Sequence, residues 1–143
     1  MTAISPFMTG DHRRCDEQFA VAERAVADGN WSEATEAYDR FHTAMERHFA
    51  MEEEVLFPAF DAISGNAMGP TQIMRMEHRQ MRALLASMAQ AVTVRDVDGY
   101  LGDAETLLIL MQQHNMKEEN ILYPMCEQSL PATEMLAQMQ SIS

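Results

Sequence analysis

One segment of this chain is written twice. HFAMEEEVLFP, from His48 to Pro58, returns as HNMKEENILYP, from His114 to Pro124, at an offset of 66 residues and without a gap. His48 falls on His114, Glu52 on Glu118, Glu53 on Glu119, Leu56 on Leu122, Phe57 on Tyr123 and Pro58 on Pro124. The same offset carries His12-Arg13 onto His78-Arg79 and Ala25-Val26 onto Ala91-Val92. Separate matches at one spacing mean that one structural unit is used twice, which restricts the fold before any propensity is considered. Four of the five histidines belong to the repeat; His42 falls on Leu108 and has no partner.

The unit is helical. Phe19, Ala22 and Val26 recur at helical spacing in a first helix expected over residues 9 to 28, closed by Asp28-Gly29-Asn30. Ser32, with Glu33 and Glu36, opens a second helix with Ala34, Tyr38, Phe41 and Met45 on one stripe; it is expected to kink or end near Pro58. Ser64-Gly65-Asn66 and Gly69-Pro70 form the central break. Pro70 suits the first position of a third helix through Met74, His78, Met81, Leu85 and Met88 to about Val92. A fourth helix starts over Asp96 to Gly99 and ends near Pro124 or Cys126, and Pro131-Ala-Thr-Glu opens a short terminal one. No segment alternates as a strand would. The expected fold is all-α: an up-down-up-down four-helix bundle with a short C-terminal helix. It forms one domain over residues 1–143, with repeat halves of about 1–66 and 67–143 related by an approximate two-fold axis.

Composition narrows the partners. A net charge of −12 disfavours nucleic acid and anionic membrane surfaces. No apolar run approaches the roughly 18–20 residues of a membrane span. Two cysteines, Cys15 and Cys126, do not make a disulfide framework. With no secretory leader at the N-terminus, the expectation is a cytoplasmic protein. The oligomeric state stays open, a homodimer included.

The repeat also places the chemistry. His48 and Glu52 are four residues apart and share one helix face, as do His114 and Glu118. That face continues into Leu56 and Leu122, so it points inward. His12 and His78 stand on the other two helices beside apolar residues. Buried imidazoles and carboxylates are costly unless paired or bound to metal. Six of them converging in one bundle point to a metal pair. We expect His12 and His48 at one metal, His78 and His114 at the other, and Glu52 and Glu118 bridging both. A split that exchanges histidines across the axis is also consistent with the repeat. Imidazole with carboxylate suits iron, manganese or zinc. Two carboxylates leave two divalent ions positive, which favours an oxo or hydroxo bridge or another anionic ligand.

The pattern His … His-x-x-x-Glu-Glu-x-x-Leu-Phe-Pro … Glu-His-Arg … His-x-x-x-Glu-Glu-x-x-Leu-Tyr-Pro resembles the hemerythrin-like (HHE cation-binding) domains over roughly residues 8 to 126. That resemblance implies a four-helix bundle with a non-haem di-iron centre held by His12, His48, Glu52, His78, His114 and Glu118. Oxygen-carrying hemerythrins place a histidine where this chain has Met74, and they space the last histidine–carboxylate pair by five rather than four. Both departures resemble the bacterial branch of the family. The missing imidazole weighs against reversible oxygen carriage. One sub-branch is implicated in repair of iron–sulfur centres and in nitric-oxide response, but the cysteine-bearing domain of those repair proteins is not in this sequence.

Three functions follow as expectations. The leading one is a protein that binds or senses a small ligand, oxygen or nitric oxide, at the two-iron centre. A second is a di-iron oxidoreductase or an iron-handling, stress-protection protein. A third is a helical module with a structural metal such as zinc. No nucleophile–base triad, phosphate loop or nucleotide fingerprint is present, so no catalytic residue is assigned. His42 lies about 120° round the helix from His48 and reads as a flank position. Glu53 and Glu119 lie some 100° from the bridging carboxylates, which places them in solvent or behind the ligands. Tyr123 reads most simply as a core aromatic matching Phe57, with a hydrogen bond to a metal-bound oxygen as the alternative, Cys15 as a buried thiol, and the methionines as core filler.

Overall fold

The computed structural model describes residues 3–65 and 69–142, and all regular structure within them is helical. Asn66, in the expected central break, lies outside the described residues. Helix α1 spans Ile4–Ala27 and α2 spans Trp31–Met51. A π-helical turn over Glu52–Leu56 joins α2 to α3, Phe57–Ser64. Helix α4 spans Pro70–Val94 and α5 spans Val97–Lys117. A second π-turn, Glu118–Leu122, leads into α6, Tyr123–Ser129, and α7 covers Ala132–Gln140. No helix among the described residues is long and apolar enough to cross a membrane.

The inter-helix turns follow from their sequences. Gly29 takes a left-handed φ of 70° after α1, and the Asn30 N–H bonds back to the Ala25 carbonyl at 3.1 Å. Asn30 then caps α2, its side chain accepting from the Glu33 N–H. The start expected at Ser32 therefore falls one residue earlier, at Trp31, set by a better-placed cap. The turn between α4 and α5 repeats this design 66 residues on. Arg95 is left-handed at φ 58°, the Asp96 N–H bonds to the Ala91 carbonyl at 2.8 Å, and Asp96 caps α5 through the Gly99 N–H. Helix α1 begins at Ile4 rather than near residue 9, because Ile4 and Met8 are both fully buried and extend its apolar stripe by more than a turn.

Helix α1 packs along α2, α4 along α5, α1 also against α5, and α2 against α4. Among the described residues the core has two apolar clusters. One contains Phe19, Phe41, Phe49, Leu85 and Leu107. The other contains Ile4, Met8, Leu56, Phe57, Leu122 and Tyr123, and α7 closes it with Met135, Leu136 and Met139. Each fully buried aromatic such as Phe41 contributes about 2–3 kcal/mol. Along α1 the chain passes from Met8 in one cluster to Cys15 in the other, and His12 lies between them. Along α4 it passes from Met74 to Met81, with His78 between. A buried polar layer thus separates two apolar ones.

A candidate metal centre

The six residues singled out by the repeat come together in that layer, none more than 3% exposed. They form two four-donor groups: His12, His48, Glu52 and Glu118, and Glu52, His78, His114 and Glu118. Within each group one ligand atom per residue lies within 4.8 Å of the others. Glu52 Oε1 is 3.0 Å from His78 Nε2 and 3.6 Å from His48 Nε2. Glu118 reaches His12 Nε2 through Oε1 at 3.0 Å and His114 Nε2 through Oε2 at 3.1 Å. Both carboxylates therefore belong to both groups.

The donor set fits a cation. Among the described residues, His114 Nε2 and Glu118 Oε2 are buried and lack any hydrogen-bond partner, although they face each other. A buried polar atom left in this state costs about 1–3 kcal/mol. A metal between the two atoms removes that cost. The electrostatics point the same way. Burial opposes a charge on His48, but Glu52 and the hydrogen bond to Asp11 outweigh it and push its pKa up to about 10. His114 is pushed up to about 9, with Glu118 and Glu52 overcoming burial. Burial also opposes the Glu52 charge, yet His48 and its hydrogen-bond partners hold that carboxyl well below the usual range. A site that favours imidazolium against its own desolvation favours positive charge in general.

All four imidazoles are held from behind by a carboxylate on Nδ1. His48 donates to Asp11 at 2.7 Å and His114 to Glu77 at 2.8 Å. His12 donates to Glu119 at 2.7 Å and His78 to Glu53 at 2.6 Å. A hydrogen bond at Nδ1 fixes the ring and turns Nε2 toward the centre, which is how metal-binding histidines are oriented. Glu53 and Glu119 had been expected in solvent or behind the ligands, and they stand behind them. Asp11 and Glu77 were missed. The signal was available: each immediately precedes its His-Arg pair, and they are 66 residues apart.

Residues 3–126 match the family model described as the hemerythrin HHE cation-binding domain. The chain belongs to that family. No curated protein and no solved structure matches it. Domains of the hemerythrin family bind metal cations, typically iron, and the two four-donor groups are residues that could hold them.

Two features of this hemerythrin-family site refine the sequence reading. The helices, expected to kink or end near Pro58 and to end near Pro124 or Cys126, run on to Ser64 and Ser129 through π-turns that begin at Glu52 and Glu118. Proline cannot donate to the carbonyl four residues back, and its ring crowds that carbonyl. The wider turn relieves this crowding, with the Phe57 N–H bonded to the Glu52 carbonyl and the Tyr123 N–H to the Glu118 carbonyl. Such turns gather at functional sites. The second feature is Tyr123. Five residues along a regular α-helix lie about 140° round from the start. The π-turn instead returns Tyr123 to the face of Glu118, with Oη 2.9 Å from Glu118 Oε1 and 2.7 Å from Glu52 Oε2. Tyr123 is thus a polar member of the centre as well as a core aromatic.

The remaining candidates sit apart from the donor groups. The His42 side chain is 40% exposed and faces Glu46 at 3.8 Å, as a flank position would. Met74, where carriers place a histidine, is buried in the apolar cluster beside α7. Cys15 is buried, and burial, reinforced by Asp11, pushes its thiol up to about 12, so it is no thiolate donor.

Proposed function

We propose that the chain holds two iron ions at a carboxylate-bridged centre and binds or senses a diatomic ligand, oxygen or nitric oxide. One observation carries this reading: Glu52 and Glu118 belong to both four-donor groups. Two positions that share two carboxylates make a dinuclear centre more economical than two separate sites. In this reading His12 and His48 serve one position and His78 and His114 the other, within two similar helical hairpins packed as an up-down bundle in a single domain. Iron there would supply ligand binding and one-electron chemistry.

The chain's own residues set the conditions for that chemistry. The carboxylates behind the imidazoles hold Nε2 toward the centre. Each position has four protein donors, fewer than the six of an octahedral ion, so room remains for an external ligand. A cavity of about 10 Å³ lies against His12, His48 and His114, lined also by Cys15, Met45, Phe49, Met81, Met111 and Asn115. That volume is on the scale of one water molecule. Apart from the imidazoles and the Asn115 amide, its walls are thiol, thioether and phenyl groups, which suits a small, weakly polar ligand. Binding of nitric oxide to the anaerobic, ferrous-loaded protein tests the reading. A new visible band saturating with nitric oxide supports it, and an unchanged spectrum contradicts it.

A further inference from the structure

The two halves of the centre differ at one atom. Tyr123 and Phe57 occupy equivalent places in the repeat, and each ring stacks on a histidine: Tyr123 on His12 at 5.6 Å and 30°, Phe57 on His78 at 5.7 Å and 28°. The ring poses match, but only one ring carries an oxygen. Tyr123 Oη lies 3.1 Å from His12 Nε2, 3.3 Å from His48 Nε2, 2.7 Å from Glu52 Oε2 and 2.9 Å from Glu118 Oε1. Those four residues are the whole of the first donor group. The hydroxyl therefore sits among the inward-facing atoms of one position, where a cation belongs. The imidazoles can donate to the phenol oxygen, but both carboxylate oxygens only accept and one O–H donates a single hydrogen bond, so ordinary hydrogen bonding leaves one of the carboxylate contacts unaccounted for. Tyr123 is fully buried, and its ring is fixed between His12 and the apolar cluster. The phenol has no solvent to retreat to when a cation arrives.

We propose that Tyr123 is a fifth protein donor to the metal held by His12, His48, Glu52 and Glu118, and that the His78–His114 position has no counterpart. The inference rests on the two-iron reading above. On binding, the Tyr123 O–H bond breaks as the oxygen–metal bond forms, and the proton is released to solvent, as happens with any protonated ligand. The phenolate adds a third anion to a centre whose two carboxylates leave it positive. The two positions then become unequal: five protein donors at one, four at the other. The position for an external ligand shifts toward the metal at His78 and His114.

The test is resonance Raman spectroscopy of the full chain loaded with iron and oxidised to the ferric state, alongside its metal content. Excitation into the visible band should enhance phenolate ring modes, and ring-deuterated tyrosine should shift them. Tyr38 and Tyr100 belong to the other apolar cluster and provide no alternative source. Tyr123→Phe should lose the modes and keep its iron. Adding Phe57→Tyr to that variant should restore them, now from the opposite position. Iron-loaded wild-type protein without phenolate modes overturns this inference and leaves the two-iron reading standing. Protein that takes up no iron overturns both. The wild-type spectrum decides the matter even where a variant fails to fold.

Discussion

Nδ1 of His48 donates a hydrogen bond to Asp11 at 2.7 Å, and 66 residues on, Nδ1 of His114 does the same to Glu77 at 2.8 Å. The two pairs hold the imidazoles of the α2 and α5 ends by one device. Removing such a partner costs metal affinity about 10–100-fold. Asp11→Ala and Glu77→Ala should each weaken iron binding within that range, measured by competition with a chelator. An unchanged affinity in both would mean that these carboxylates only offset charge.

Glu52 and Glu118 should behave unlike any other donors. Each belongs to both groups, so Glu52→Ala and Glu118→Ala should each lose much of the two-metal stoichiometry. His42→Ala should keep it, because that side chain is exposed and pairs with Glu46. Metal analysis of the three variants checks this. Loss in His42→Ala with retention in Glu52→Ala would show the ligand assignment to be wrong.

Arg95 is the one described non-glycine residue with a positive φ, at 58°, in the turn whose repeat partner uses Gly29. A side chain in this conformation costs roughly 1–2 kcal/mol, part of which glycine gives back as chain entropy. Arg95→Gly should stabilise the protein by about 1 kcal/mol, read as a Tm rise of about 4 °C. The turn is far along α4 from His78, so metal content should not change.

Both thiols should be inert in the folded chain. Burial, with Asp11 beside Cys15 and with Glu52 and Glu118 acting on Cys126, pushes each up to about 12, against an ordinary 9.0. The folded chain therefore holds more protons than the unfolded one between those values. Stability should be level with respect to these groups below pH 9 and should fall as pH climbs from 9 toward 12. A thiol reagent at pH 8 should react with neither cysteine until denaturant is added. Rapid reaction of the native protein would contradict the burial argument.

The repeat made most of this protein legible. Its histidine–glutamate spacing placed six side chains on inward faces, and the structure brings all six into one layer. The turns were readable too, since Asp28-Gly29-Asn30 and Asp96 mark their helix ends. What escaped depends on backbone register. Periodicity assumes 100° per residue, and the π-turns at Glu52 and Glu118 break that assumption ahead of prolines that read as kinks or stops. Tyr123 is the core aromatic expected from Phe57, and only its turn toward both carboxylates was hidden by this register. Asp11 and Glu77 escaped differently: one is aspartate and the other glutamate, and a match in chemistry is harder to see than a match in letters. The longer start of α1 was hidden because Ile4 and Met8 gain their burial from segments far along the chain, α6 and α7 among them.

A dinuclear centre that reacts with a small ligand is tested most directly by the metal content and visible spectrum of anaerobically iron-loaded protein, before and after air. Two donor groups sharing two carboxylates predict about two irons per chain and a new charge-transfer band on oxygenation. One tightly held metal per chain, with no spectral response to air, would contradict the account.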